Sequence, residues 1–188
     1  MIEPLEPGQG FEFANKLSGG SVPKEYVPAI EKGVREALDS GIFAGFPVVD
    51  VRVSVTDGSY HDVDSSEIAF KIAAKQTMQE ALRKGGSYLK EPIMSIEVAT
   101  PEANMGDVIG DINRRRGRME GMEPEPGGKQ LIHAQVPLSE MFGYVSDLRG
   151  FTQGRASFAM TPSHYEEVPR NVAEEILAKG SGKQLAKA

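Results

Sequence analysis

The 188-residue chain contains no cysteine. Disulfides, zinc–thiolate centres and thiol nucleophiles are therefore excluded, and the absence fits a reducing cytoplasm. No apolar run approaches the roughly 18–20 residues a membrane helix needs. The first residues, MIEPLEPGQG, are neither basic nor followed by an apolar stretch, so the pattern of a signal peptide is not there. Positive charge is not in excess either: the formal net charge is −6. The part up to Pro92 has 10 basic and 14 acidic residues and the rest has 11 and 13, so neither is a basic nucleic-acid module as a whole. Any RNA contact must come from local patches. What is present is an ordinary soluble balance, 39% hydrophobic and 26% charged. It can build a sizeable core in one domain or two small ones.

Hydrophobic spacing divides the chain into two folding units and a tail. Val27, Ile30, Val34, Ala37 and Leu38 recur at helical spacing, with Gly41 as the stop. Val49, Val51, Val53 and Val55 then alternate with polar residues, the period of a half-buried strand. From Ile68 to Leu82 a second helix is expected, with an alanine-rich stripe of Ala69, Ile72, Ala73 and Ala81, flanked by Phe70, Met78 and Leu82, turned to the sheet. Residues 1–91 thus read as an α/β domain.

The second unit is expected over 92–168. Met94, Ile96 and Val98 mark a strand, and Met105, Val108, Ile109 and Ile112 a helix that stops at Gly117. RMEGME and QLIHAQVPL flank the turn material PEPGG, with Ile132, Ala134 and Val136 facing inward. A short helix through Tyr144, Val145 and Leu148 follows, and Ala156, Phe158 and Met160 mark a last strand. The order βαββαβ predicts four antiparallel strands with both helices on one face, the ferredoxin-like arrangement. The fold class is therefore α+β with two domains. Residues 169–180 read as a C-terminal helix that could pack back on the first domain, and 181–188 as a disordered tail.

The densest polar stretch is GSYHDVDSSE, Gly58 to Glu67. A calcium loop begun at Asp62 would need glycine at its sixth position and glutamate at its twelfth, where Glu67 and Ala73 stand. Two histidines at helical spacing are absent. A nucleophile formed by Ser65 or Ser66 with His61 and Asp62 would need a geometry that nothing in the spacing enforces. The simpler reading is a capping box, with Asp64 capping the second helix and Glu67 reaching back. Tyr60 and His61 remain unexplained at a loop, where contacts are commonly made. The other marked patch is RRRGR, Arg114 to Arg118. Positive charge at a helix end suits the helix dipole, and Arg115 could pair with Asp111 on its own helix. Arg114, Arg115 and Arg116 spread over about 200° of helix, so they cannot all face one surface.

Several blocks, in order and spacing, resemble bacterial translation elongation factor G: GGSVPKEYVPAIEKG, AGFPVVDVRV, GSYHDVDSSEIAFKIAA, LKEPIMSIEVATPE, MGDVIGDINRRRG and VPLSEMFGYVSDLRGFTQGRASF. The resemblance runs from about Pro4 to Lys179. It implies that the first unit is similar to domain IV (ribosomal-protein S5 domain 2-like) and the second to the ferredoxin-like domain V. It implies a tip loop at Gly58, Ser59, Tyr60 and His61 that reaches the tRNA–mRNA pair in the small-subunit decoding region. It also implies RNA contacts from some of Arg114, Arg115, Arg116, Arg149 and Arg155, near large-subunit rRNA and the stalk base. Membrane and DNA are not among the implied partners.

The resemblance departs from the family at two points. The family's GTPase machinery is not matched, so no cofactor is expected on this chain; GTP and magnesium belong to a G domain of the parent protein. GSGK at Gly180–Lys183 lacks the following Ser or Thr of a phosphate loop, and ANKLSG has Ser18 where a guanine-reading Asp would stand. The first strand and first tip loop of domain IV are expected to be cut short, leaving an open sheet edge. Two other readings stay open: a ribosome-protection protein of the tetracycline-resistance type, and a small hydrolase using His61, Asp62, Asp64 and Glu67.

Overall fold

The computed structural model describes residues 1–61 and 63–185, with backbone alone from 180 onward. The chain divides into two compact units. One is Met1–Leu89 together with the segment from Pro169, and the other is Lys90–Val168.

In the first unit, β1 (Ile2–Pro4), β2 (Phe11–Asn15) and β3 (Val51–Val55) form a sheet in the order β1-β3-β2. β1 runs antiparallel to β3 and β2 runs parallel to it. The parallel pair needs a crossover, which α1 (Val27–Ser40) supplies. β1 makes a three-residue ladder with β3, with Ile2 opposite Val53. The alternation expected from Val49 starts instead at Val51, because Asp50 takes a left-handed φ of 57° and breaks the extended run. The Asp50 carboxylate accepts from the amides of Gly8 and Gly10 and so anchors the loop before β2.

The second helix, α2 (Glu67–Lys84), buries only one flank of the face expected, and not its middle. Ile68 is 71% exposed and Ile72, Ala69 and Ala73 face solvent, while Met78 and Leu82 are buried with Ala74 beside them. The reason is its neighbour. At Gly33 of α1 an added Cβ would lie 2.2 Å from the Lys71 carbonyl oxygen and 3.1 Å from the Ala74 Cβ. The two backbones cross at this glycine, and the crossing fixes which side of α2 is covered. Glu36 of α1 then pairs with Lys71 and Lys75 along the rim, and the Lys71 hydrogen bond holds its carboxyl below the ordinary carboxylate range.

The second unit is the βαββαβ arrangement. β4 (Lys90–Pro101), α3 (Met105–Arg114), β5 (Arg118–Glu125), β6 (Lys129–Pro137), α4 (Tyr144–Thr152) and β7 (Ser157–Glu167) build an antiparallel sheet ordered β5-β6-β4-β7. Met94, Ile96 and Val98 stand beside Ile132, Ala134 and Val136, and Val108, Ile112, Tyr144 and Leu148 of the two helices cover them. Both helices thus lie on one face, as the spacing predicts. Pro92, expected to open this domain, sits inside β4: it pairs with Tyr165 of β7, while β6 joins only from Ile93. A proline is tolerated there because the ladder is one-sided at Pro92, β6 not yet having joined. The first unit consequently ends at Leu89 rather than residue 91.

The C-terminal helix, α5, spans Arg170–Leu185. The tail expected to be disordered over 181–188 is therefore helical through Leu185. The segment after Pro169 contains no further proline to stop the helix. Residues 186–188 lie outside the described residues.

Gly33→Ala is expected to destabilise the first unit by about 2–3 kcal/mol, because the obstruction is backbone and cannot swing away. Gly110→Ala in α3, with open space around its Cβ position, should stabilise by about 0.5–1 kcal/mol. Urea unfolding of the two variants checks both signs.

Candidate nucleic-acid interface

The tip loop follows β3 and is anchored at its root. Asp57 accepts from the Gly58 amide, and a Cβ on Gly58 would lie 2.6 Å from Val22 Cγ2. Glycine is needed here for close packing on the buried Val22. Ser59 is exposed. Tyr60 is half-buried, its ring 5.7 Å from that of Tyr26, which stacks in turn on Phe70 at 4.7 Å. His61 is held by Ser65 from both sides: its amide donates to Ser65 Oγ at 2.9 Å, and its carbonyl accepts from the Ser65 amide at 3.0 Å. The His61 side chain is left exposed.

The capping expectation is corrected at this point. The N-cap of α2 is Ser66, in extended conformation, with Oγ accepting from the Ala69 amide at 3.1 Å. Asp64 instead donates its own amide to the His61 carbonyl and stays in the loop. Asp64 and Ser66 are both good N-caps, and the turn closed by Ser65 selects the later one. Glu67 occupies the first helical turn, where negative charge suits the helix dipole. Asp62 lies outside the described residues. Among the described residues no group of three or more potential metal ligands converges.

The three arginines of RRRG have three different fates. Arg114 is 75% exposed, with one bond back to Asp111. Arg115 is only 13% exposed. It pairs with Asp111 of α3 and Asp147 of α4, donates to the Glu140 carbonyl, and lies 5.1 Å from the Tyr144 ring centroid. Burial opposes its charge, but the two carboxylates keep its pKa above the ordinary value. Arg116 is 26% exposed and makes two bonds to Glu91, at 2.7 and 2.8 Å, and one to Glu140. The Glu91 bonds hold it firmly charged.

The backbone explains this placement. α3 ends in a Schellman motif: Gly117 donates to the Ile112 carbonyl and Arg116 to that of Asn113. The left-handed residue, usually glycine, is Arg116 with φ 60°. The glycine stands one place later, where a Cβ would lie 2.4 Å from Ile112 Cγ2. Arg115 and Arg116 are thus committed to carboxylates inside the unit, whereas Arg114 keeps an open face. Arg149 is also exposed. Arg155 is exposed but tied to Asn104 Oδ1 at 3.1 Å and to the Thr152 carbonyl.

Two features escape the sequence reading. Tyr26 and Phe70 beneath Tyr60 give no motif, since the three positions are distant in sequence. Arg118 bonds Glu166 and Gln135, and His164 bonds Glu166 and Ser163, forming a polar line on the second sheet. The His164 bond, followed by that of Arg118, holds the Glu166 carboxyl below its ordinary range. No local pattern signals that line, because β5 and β7 are joined only through the sheet.

Comparison with known proteins decides the family. Residues 1–99 match the family model for elongation factor G, domain IV, and residues 88–176 match that for the elongation factor G C-terminus. The chain belongs to the elongation factor G family. It is similar to a protein of known crystal structure from Thermus thermophilus, at 39% identity and a TM-score of 0.81. That match covers 96% of this chain and 27% of the other. The two units described above are accordingly elongation factor G domain IV and the C-terminal domain. Among the described residues no helix is long and apolar enough to cross a membrane.

Two predictions separate fold from contact in the C-terminal domain. Arg116→Ala should cost about 2–4 kcal/mol by stranding the buried Glu91, whereas Arg114→Ala should stay within about 0.5 kcal/mol. Paired thermal denaturation curves distinguish them. Tyr144 gives the second. Its hydroxyl is buried with no partner among the described residues, and burial, with Asp111 adding to it, pushes its pKa up to about 12 from 10.0. A raised folded pKa leaves stability intact below the unfolded value and removes it as pH rises. Stability should therefore fall between pH 10 and about 12. Tyr144→Phe should abolish that part of the fall and be neutral or slightly stabilising at pH 7, as chemical denaturation at graded pH would show.

Proposed function

We propose that this chain is the ribosome-contacting, non-enzymatic lever of an elongation factor G. In this reading the Gly58–His61 loop touches the tRNA–mRNA pair at the small-subunit decoding region during translocation. The GTP and magnesium that drive the movement belong to a G domain elsewhere in the parent protein, which acts in the cytoplasm. The observation that carries the reading is the exposed His61 on a loop whose backbone is tied at both ends: Gly58 against Val22, and His61 bonded twice to Ser65. A rigid root and an exposed imidazole suit a group that presses between RNA elements, with hydrogen-bonding capacity at both ring nitrogens. Acid–base chemistry would need an orienting partner for the ring, and the reading assigns none.

The C-terminal domain contributes phosphate contacts near large-subunit rRNA and the stalk base through Arg149 and Arg114, with Arg155 as a more constrained third. Arg115 and Arg116, each held by two carboxylates and far less exposed than Arg114, add little to such contacts, since exchanging one anion for another gains little energy.

Co-sedimentation with purified ribosomes across a salt series tests both halves. His61→Ala should weaken binding about three- to tenfold at every salt concentration, leaving the slope unchanged. Arg149→Ala should lower the slope of log affinity against log salt by about 0.7–0.9, the value of one phosphate contact. Unaltered sedimentation of His61→Ala across the whole series would remove the tip contact from the mechanism.

A further inference from the structure

Tyr60 and His61 are neighbours on the tip loop, yet the structure gives them opposite roles. His61 projects outward, while Tyr60 turns back onto Tyr26 with rings 5.7 Å apart and tilted by 33°. Tyr26 lies between Tyr60 and Phe70, stacked on the latter at 4.7 Å and 30°. The three rings come from three different segments. Tyr26 immediately precedes α1, Phe70 is in the first turn of α2, and Tyr60 is in the loop after β3. Tyr26 is the middle ring, in contact with both of the others. It connects the tip to the helix pair whose crossing at Gly33 lies two turns further along the same face of α1.

This arrangement withdraws Tyr60 from base stacking. A ring held on a neighbouring ring gains stability beyond its buried area, and a base would have to replace that contact. We propose that Tyr26 is a positioning residue for the tip: its ring, through Tyr60, sets the angle at which the loop presents His61 to RNA. The inference rests on the reading of His61 as the contact group. It adds that the aromatic part of the loop recognises the protein and not the nucleic acid. The recognised chemistry is then a ribose–phosphate surface met by an imidazole, without an intercalated aromatic.

The test uses two independent readouts on this chain. The first is amide hydrogen exchange of His61 and Ser65, whose N–H groups bond Ser65 Oγ and the His61 carbonyl. Tyr26→Ala should speed both about tenfold and leave β4 amides unchanged, and Tyr26→Phe should restore the original rates, because the ring and not the hydroxyl stacks. Tyr60→Ala should reproduce the effect, and the double variant should go no further. The second readout is ribosome co-sedimentation. Tyr26→Ala should lose about fivefold in affinity and His61→Ala a similar amount, with the pair non-additive. Unchanged exchange in both Tyr26→Ala and Tyr60→Ala would overturn the positioning role whatever the binding data show. So would a binding loss in Tyr26→Ala fully additive with that of His61→Ala. Faster exchange with His61→Ala binding as wild type would leave the positioning role standing and overturn the assignment of His61 instead. If Tyr26→Ala unfolds the whole first unit, Tyr60→Ala alone decides, since its ring lies outside both helices.

Discussion

The close crossing of α1 and α2 at Gly33 is the constraint on which the domain IV part of the molecule depends. With no side chain at that position, the helices meet backbone to backbone. The contact fixes the height of Lys71 and therefore of Phe70 and Ser66 before it. Ser66 caps the helix, Ser65 closes the turn under His61, and Phe70 supports Tyr26. A loop of mostly small polar residues thus inherits its position from a helix pair. Loops placed in this way by rigid elements are suited to contact, since little ordering entropy remains to be lost on binding.

The C-terminal domain shows the same economy with charge. Asp111, Asp147, Glu91 and Glu140 absorb two of the three consecutive arginines and join α3, α4 and β4 through them. Such a cluster has high stakes: complete, it satisfies every partner, and with one member removed it strands a charge. The left-handed backbone of Arg116 belongs to the same arrangement. A conformation that costs about 1 kcal/mol in a non-glycine residue is held by the bidentate bond to Glu91.

Periodicity makes the C-terminal domain legible, because its core residues alternate or recur on faces that are buried as expected. Ile132, Ala134 and Val136 are all fully buried. The face of α2 is misleading in sequence because Ala69, Ile72 and Ala73 look apolar, whereas the covering surface is set by a glycine on another helix. β2, with Phe11 and Phe13 alternating, could have been found from FEFAN. The tip loop stands out as a candidate by its composition and by family resemblance. The cap shifts by two residues because Asp64 and Ser66 are both good N-caps and only the turn at Ser65 distinguishes them. Of the arginine pairings only Arg115 with Asp111 is legible in sequence, from its i, i+4 spacing; the others cannot be sorted. Their fates depend on Glu91 and Asp147, which lie 25 and 32 residues away from their partners.

The first unit is discontinuous in sequence: it uses Met1–Leu89 and takes up the chain again at Pro169. The second unit is one uninterrupted stretch between them. During synthesis from the N-terminus, the inserted stretch has all its strands available as soon as Val168 leaves the exit channel, and domains generally fold as units. The unit that carries the tip must wait for α5 before its last element is available. The order of completion is therefore the reverse of the order in which the two units begin.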